Sequence, residues 1–366
     1  MKRLKALKAR VQAGSEPELL GSGEGAGSMS MTNRERMWRA LNHEPVDRIP
    51  TQVNYTQAMG QRMAEHLGVA ADELPYRLGN HLLRVDIAHK QRRSEDGRIA
   101  FDWWGVGFDT EQEGYFAAIH PLADSKDLDA YAWPDPHAPN LLDGAARAIM
   151  DDRGQHFVAP NLGFALFERA WSLRGFDTFL LDMALDPGFA EDLLERITRI
   201  QLVLIQRFLE LGVDGGYFGD DYGSQANLLF SPRMWRSLIK PRLARLFAPF
   251  REVGLPVLMH SDGQIAEILP DLVEIGLTAY NPVQPEVIDH AWLRSTFGNR
   301  LAYYGGISTQ TTLTQGTPQE VSGAVQECVA ALAPEGTGLI LAPSHRMMSD
   351  TPMDNVEVML EALASL

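Results

Sequence analysis

Cysteine is almost absent from this sequence: Cys328 is the only one among 366 residues. A disulfide framework is therefore excluded, and so is a zinc site built from several thiolates. One cysteine suits a reducing compartment, and we expect a cytoplasmic protein. Long apolar runs are missing too. Because a membrane-spanning helix needs about 18 or more apolar residues in a row, the sequence predicts neither such a helix nor a membrane partner.

Positive charge is scarce outside the N terminus, and the formal net charge is -15. A body this acidic repels phosphate backbones, so we expect no nucleic-acid partner. The first ten residues, by contrast, contain five lysines and arginines and precede a run rich in glycine and serine at 21–28. We interpret residues 1–31 as a flexible basic tail and linker that is native, a tag or the product of an early start codon. Residues 32–366 are the single predicted domain.

The glycine-rich G-x-G-x-x-G turn of dinucleotide-binding folds is also missing after every predicted strand. What the sequence does contain is an alternation of short apolar strands with amphipathic helices, which is typical of a parallel sheet. The predicted strands are 48–53, 157–162, 215–218, 256–259, 279–281, 301–304 and 339–342, with a further strand expected between His81 and Phe116 and a hairpin-like insertion at 99–112. We therefore predict an α/β fold made of a single (β/α)8 TIM-type barrel.

Polar residues follow the carboxyl ends of the later strands, where barrel enzymes place their catalytic groups. They are Asp220, Asp221, Tyr222, Gln225, His260, Asp262, Asn281, Gln284, Ser344 and His345. Each residue alone is a weak signal, because polar side chains occur in any loop. Their recurrence at the same end of successive strands predicts one shared cavity.

The order and spacing of these motifs resemble the uroporphyrinogen decarboxylase superfamily. The motifs are Asp220-Asp221-Tyr-Gly-Ser-Gln225, His260-Ser-Asp-Gly263, Asn281-Pro-Val-Gln284, Gly305-Gly306 and Thr351-Pro352. The resemblance covers about residues 32–366. It implies one of two enzyme classes, either porphyrinogen decarboxylases or cobamide-dependent methyltransferases with a zinc-bearing barrel.

The sequence departs from the decarboxylases after its first predicted strand. Those enzymes carry an arginine-rich motif there, whereas residues 51–62 contain a single arginine, Arg62. Bidentate arginines are the natural clamp for carboxylates, so a polycarboxylate substrate is disfavoured. From this part of the chain we predict Asn54 and Asp86 as substrate-binding residues. Asp86 matches the decarboxylases' catalytic aspartate, and a carboxylate on a helix surface is the alternative interpretation.

The resemblance to the methyltransferases implies a metal site. Where those enzymes carry a His-x-Cys pair and a later cysteine, this sequence has His260, Asp262 and His345. Imidazole and carboxylate ligands suit a divalent metal, with zinc as our first choice, although the two histidines could instead only form hydrogen bonds. The other predicted site residues are Asp221, Tyr222 and Asp220 as catalytic groups and Gln225, Asn281 and Gln284 as further substrate-binding groups.

These residues lead to a hypothesis about the reaction. We expect a metal-assisted methyltransferase or demethylase that acts on a small methyl ether or methylamine. By family resemblance, the methyl acceptor is a cobamide carried on a separate corrinoid protein. A carboxy-lyase and a non-catalytic binding barrel are the alternatives, and a homodimer is left open.

Overall fold

The structure is a computed structural model, and it describes residues 30–114 and 116–366. The predicted tail at 1–31 therefore lies almost entirely outside the described residues. In chain order the strands are β1 (Leu82–Val85), β2 (Arg92–Arg93), β3 (Ile99–Phe101), β4 (Gly107–Asp109), β5 (Phe116–Ile119), β6 (Phe157–Gly163), β7 (Gly216–Gly219), β8 (Val257–His260), β9 (Ala279–Asn281), β10 (Ala302–Ile307) and β11 (Leu339–Pro343).

Helices separate most of these strands. They are α1 (Asn33–Leu41), α2 (Gln57–Leu67), α3 (Leu74–Arg77), α4 (Asp143–Asp152), α5 (Phe167–Arg174), α6 (Phe176–Leu185), α7 (Pro187–Leu211), α8 (Pro232–Met234), α9 (Lys240–Glu252), α10 (Leu269–Glu274), α11 (His290–Phe297), α12 (Thr312–Gln315), α13 (Pro318–Leu332) and α14 (Met353–Ala364). A π-helical turn at Trp235–Ile239 joins α8 to α9, and a 3-10 turn at Gly298–Arg300 follows α11. In the described part of the chain, no helix is long and apolar enough to cross a membrane.

The main sheet is parallel and seven-stranded, with the order β1-β6-β7-β8-β9-β10-β11. Neighbours in the sheet follow the order of the chain, which is what repeated strand–helix units produce. The strand expected between His81 and Phe116 is confirmed as β1. The α/β class is confirmed too, and the number of strands in the sheet is one fewer than predicted.

The segment before β1 explains that difference. Thr51 forms an isolated parallel bridge with Leu341 of β11. On its other side, towards β1, the Asn80 amide oxygen accepts from Val53 N–H at 2.7 Å and the Gln52 amide oxygen accepts from Leu82 N–H at 3.0 Å. One backbone hydrogen bond, from His81 N–H to the Thr51 carbonyl at 3.2 Å, accompanies them. The strand predicted at 48–53 is therefore present only as a bridge, because side-chain hydrogen bonds take the place of most of the backbone ladder next to β1.

A second, antiparallel sheet is inserted between β1 and β6, with the order β2-β3-β4-β5. The hairpin predicted at 99–112 is confirmed as the pairing of β3 with β4. Its turn is held by Asp102, whose carboxylate accepts from the N–H groups of Trp104 and Val106, both at 2.9 Å. The same carboxylate lies 2.6 Å from the guanidinium of Arg169 in α5, which fixes the insertion against the main domain.

The main sheet has two buried faces. One face packs against the helices and forms the larger core, and the other encloses a smaller interior cluster. Members of the interior cluster are Leu82, Phe157, Ala159, Tyr217, Leu258, Ala279, Ala302, Tyr304, Ile340 and Ala342, with Met37 and Leu41 of α1 at one end. Because successive residues of a strand point to opposite faces, these residues identify the inward positions of every strand.

The loops after β7 and β8 touch backbone to backbone. A Cβ atom built on Gly263 would lie 2.5 Å from the carbonyl carbon of Gly223, and one on Gly223 would lie 2.6 Å from the nitrogen of Gln264. Neither position has room for a side chain. The two glycines therefore set how closely the ends of β7 and β8 approach each other.

We predict that Gly263→Ala destabilises the protein more than Gly254→Ala does. Both glycines have a positive φ, 79° and 78°, but a Cβ on Gly254 meets nothing within 4 Å. Both alanines incur backbone strain of about 1–2 kcal/mol, and only the one at 263 also forces two backbones apart, at about 1–3 kcal/mol more. Urea unfolding of the two variants measures the difference, and equal losses would contradict the close contact.

Candidate functional site

The structure brings the three predicted metal ligands together. His260 ends β8, Asp262 follows two residues later and His345 follows β11, and their ligand atoms all lie within 4.8 Å of one another. His260 Nε2 is 3.5 Å from Asp262 Oδ1, and His345 Nε2 is 3.6 Å from Asp262 Oδ2. The side chains are 20%, 32% and 45% exposed, so the cluster opens to solvent.

The donors of this cluster fit a divalent cation. Two imidazole nitrogens and a carboxylate oxygen are a common set for zinc, with bonds of about 2.0–2.2 Å, and one ion can reach three atoms at these separations. Burial lowers the pKa of His345, and the Asp262 carboxylate partly opposes that effect. A lowered pKa favours the neutral imidazole, which is the form that binds metals.

Asp221 lies beside the cluster. Its carboxylate accepts from Asp262 N–H at 2.8 Å and lies 3.8 Å from His260 Nε2. The side chain is 34% exposed, yet it is surrounded by protein atoms, and burial raises its pKa while His260 opposes the rise. Asp221 is therefore placed both to reach a ligand and to hold a proton.

Asp220 and Tyr222, the other two predicted catalytic residues, point away from the cluster and are fully buried. The Asp220 carboxylate accepts from the N–H groups of Leu166, Phe167 and Glu168 at 2.7–3.1 Å. Tyr222 donates its hydroxyl hydrogen to the same carboxylate at 2.8 Å. Both residues thus hold the start of α5 in place. The cause is strand alternation, which turns Asp221 inward and its two neighbours outward.

Two of the predicted substrate-binding residues pair with each other. Gln284 is 4% exposed, and its amide nitrogen donates to the amide oxygen of Gln225 at 3.0 Å. Gln225 is exposed. This pair joins the loop after β7 to the loop after β9, at the same end of the sheet as the cluster.

Asn281, another predicted substrate-binding residue, is the last residue of β9. It is 4% exposed, and its amide oxygen lies 2.6 Å from Nδ1 of His260. The buried side chain therefore contacts the ring nitrogen of His260 that does not face Asp262 and Asp221.

Asn54 and Asp86 both lie on the inward side. Asn54 donates to the Tyr304 hydroxyl at 3.2 Å and accepts from the Arg84 guanidinium at 3.1 Å. Asp86 directly follows β1, so the alternative of a helix-surface carboxylate is wrong. It accepts from the Asn161 amide at 2.9 Å, and burial raises its pKa.

The family assignment rests on more than these residues. The sequence profile described as Uroporphyrinogen decarboxylase (URO-D) matches residues 104–366. The chain belongs to this family. The resemblance predicted from the spaced motifs is thereby confirmed, and comparison with curated proteins gives no match.

One solved structure has a fold similar to that of this member of the uroporphyrinogen decarboxylase family. A methyltransferase from Methanosarcina mazei is similar over 92% of this chain and 99% of its own, with a TM-score of 0.69 and 19% identity. A sugar phosphate isomerase/epimerase from Parabacteroides distasonis covers 87% of this chain and 96% of its own, with a TM-score of 0.40 and 12% identity. At these identities the methyltransferase shows a shared fold, and the second structure is too distant to support an argument.

Two charged residues of the site escaped the sequence analysis. Glu168 begins α5, and burial together with the Asp221 and Asp220 carboxylates raises its pKa well above the usual value. Arg84 occupies an inward position of β1, with its guanidinium carbon 5.1 Å from the centre of the Tyr217 ring. Glu168 could have been found, because it follows the carboxyl end of β6. Arg84 could not, because only the register of β1 decides where it points.

We predict that Asp220→Ala lowers the free energy of unfolding by about 2–4 kcal/mol, because it leaves three buried N–H groups without their acceptor. Asp221→Ala is the matched control, since Asp221 accepts from one N–H group and is partly exposed. We expect it to cost about 1 kcal/mol. Thermal unfolding of the two variants in parallel is the measurement. A larger loss for Asp221→Ala would contradict the capping role of Asp220.

Proposed function

We propose that the chain is a metal-assisted methyltransferase or demethylase that acts on a small methyl ether or methylamine. The observation that carries this proposal is the His260, Asp262 and His345 cluster, whose ligand atoms lie within 4.8 Å of one another. A divalent cation held by these residues, with zinc as the first candidate, would supply a Lewis acid for the atom that loses the methyl group.

The chain's own residues supply the proton that the reaction needs. When the bond between a methyl group and oxygen breaks, the oxygen keeps the electron pair and becomes a poor leaving group unless it is protonated. Asp221 lies 3.8 Å from His260 Nε2 and has a raised pKa, so we propose it as the proton donor. Glu168, next to Asp221, is proposed to resupply that proton. Asp220 and Tyr222 are proposed to hold both in place.

Neutral groups would orient the substrate. Gln225, Gln284 and Asn54 offer amide hydrogen bonds at the same end of the sheet, and Asp86 adds a carboxylate beside Asn161. Such groups suit a small molecule of low charge. The methyl acceptor in this proposal is a cobamide on a separate corrinoid protein, and the shared fold with the Methanosarcina mazei methyltransferase supports that branch of the family.

We also make a proposal about the number of strands in the barrel. The segment around Thr51 contacts β11 through a backbone bridge, and it contacts the start of β1 through side chains and one backbone hydrogen bond. We propose that this segment takes the place of the eighth strand of a TIM-type barrel. The closed barrel would enclose the interior cluster on all sides.

A carboxy-lyase is the second candidate, and one observation favours it. Arg84 in β1 and Asp86 directly after it share the inward phase of the strand, so a cation and an acid lie close together at this end of the sheet. That pair could hold a substrate carboxylate and move a proton during its loss.

The metal is tested by composition. Protein purified without chelator is expected to contain about one equivalent of a divalent metal, and His345→Ala is expected to lose most of it, because two remaining ligands hold a cation weakly. His66→Ala is the control, since His66 pairs with Glu357 on the surface. Elemental analysis gives the result. A substoichiometric metal content that His345→Ala leaves unchanged would remove the metal from the proposal.

The reaction is tested with reduced cobalamin and a panel of methoxylated aromatic compounds and methylamines. We expect methylcobalamin to form with at least one of them. His260→Ala should abolish its formation, and Asp221→Asn should slow it roughly 100-fold or more, as the loss of a general acid does. Absorbance of methylcobalamin follows the rate. Production of coproporphyrinogen from uroporphyrinogen, with no methyl transfer across the panel, would replace this function by the carboxy-lyase.

A further inference from the structure

Asn281 connects His260 to the strands on either side. Its amide oxygen lies 2.6 Å from His260 Nδ1 and accepts from the Tyr217 hydroxyl at 3.1 Å. Its amide nitrogen donates to the backbone carbonyl of Tyr304 at 2.9 Å. One buried amide at the end of β9 thus contacts β7, β8 and β10.

These contacts decide the orientation of the amide. A backbone carbonyl only accepts hydrogen bonds, so the nitrogen of Asn281 must face Tyr304 and the oxygen must face His260. The amide oxygen is also only an acceptor. Nδ1 of His260 must therefore carry a hydrogen, and in the neutral imidazole the lone pair is then on Nε2.

Nε2 is the nitrogen that faces the cluster, 3.5 Å from Asp262 and 3.8 Å from Asp221. A cation binds imidazole through its lone pair, so only one of the two tautomers can act as a ligand here. We propose that Asn281 is a positioning residue that selects the Nδ1–H tautomer of His260 and thereby presents Nε2 to a divalent cation. The inference rests on the proposed metal role of the cluster, but the tautomer can be measured without metal.

The first experiment measures that tautomer in the full-length, metal-free protein. Long-range nitrogen–proton correlation spectra of histidine labelled with nitrogen-15 distinguish the two forms, and His260→Ala identifies the signals. We expect the Nδ1–H form in the unaltered protein and in Asn281→Asp, because a protonated carboxyl group can donate to the Tyr304 carbonyl and still accept from Nδ1 with its other oxygen. Asn281→Leu should give a mixture containing the Nε2–H form. An Nε2–H form in the unaltered protein, or no change in Asn281→Leu, would overturn the proposal.

The second experiment measures affinity for cobalt(II) by visible absorption, after the protein has been stripped of metal. Asn281→Leu should bind roughly 10–100-fold more weakly, and Asn281→Asp within a few-fold of the unaltered protein. Tyr217→Phe is the control, because it removes the other donor to the same oxygen and should change neither measurement. Unweakened binding by Asn281→Leu would overturn the role of Asn281.

The two experiments separate the possible failures. If the unaltered protein binds no cobalt, the metal in the proposed function is lost, and the tautomer still decides whether Asn281 orients His260. If Asn281→Leu does not fold, the tautomer of the unaltered protein and the affinity of Asn281→Asp remain decisive. Loss of the Nδ1–H form or of tight binding in Asn281→Asp would then count against the proposal.

Discussion

Successive side chains of a strand point to opposite faces, and in a sheet with two buried faces this alternation sorts every residue between the interior and the helices. Tyr217 and Asp221 are separated by four positions on the chain and so share the inward face with the cluster. Asp220 lies between them in the sequence. It points to the same face as Phe218, and it contacts the start of α5 instead. The same rule turns His260 inward and Ser261 outward. On β7 and β8 the phase of the strand therefore decides which residues reach the cluster. His345 is out of phase with the inward residues Ile340 and Ala342 of β11, and it reaches the cluster from the loop that follows the strand.

Much of the fold could be predicted, because short apolar strands alternating with amphipathic helices leave a clear pattern in the sequence. The segment around Thr51 was predicted as a strand, and its incomplete pairing could not be predicted. Most of its contacts towards β1 use the side chains of Gln52 and Asn80, and no pattern of hydrophobicity records such contacts. The clustering of His260 with His345 was foreseen, because both follow the carboxyl ends of parallel strands.

The roles within the site were harder to predict than its location. Asp220 and Asp221 are adjacent and chemically identical, and they differ only in the face of the sheet to which they point. Asp220 caps the start of α5, and Asp221 lies beside the cluster. Asn281 is of a residue type that suits substrate binding, but in the structure it is buried and contacts Nδ1 of His260. Arg84 lies within an apolar strand, where a single charge gives no sign of facing inward. The residue types indicated where the site lies, and the direction in which each side chain points decided its role.

The contact between Gly223 and Gly263 has a consequence for cation binding. Asp221 and Asp262 lie on the two loops that these glycines hold together, and the Asp221 carboxyl group accepts from Asp262 N–H at 2.8 Å. The contact of the two loop backbones therefore brings the two acids together in the folded protein, before any ligand arrives. A cation would then enter a site whose carboxylates are already close, with little entropy lost in assembling them. The distance between the two acids would then be set by the backbone contact of Gly223 with Gly263.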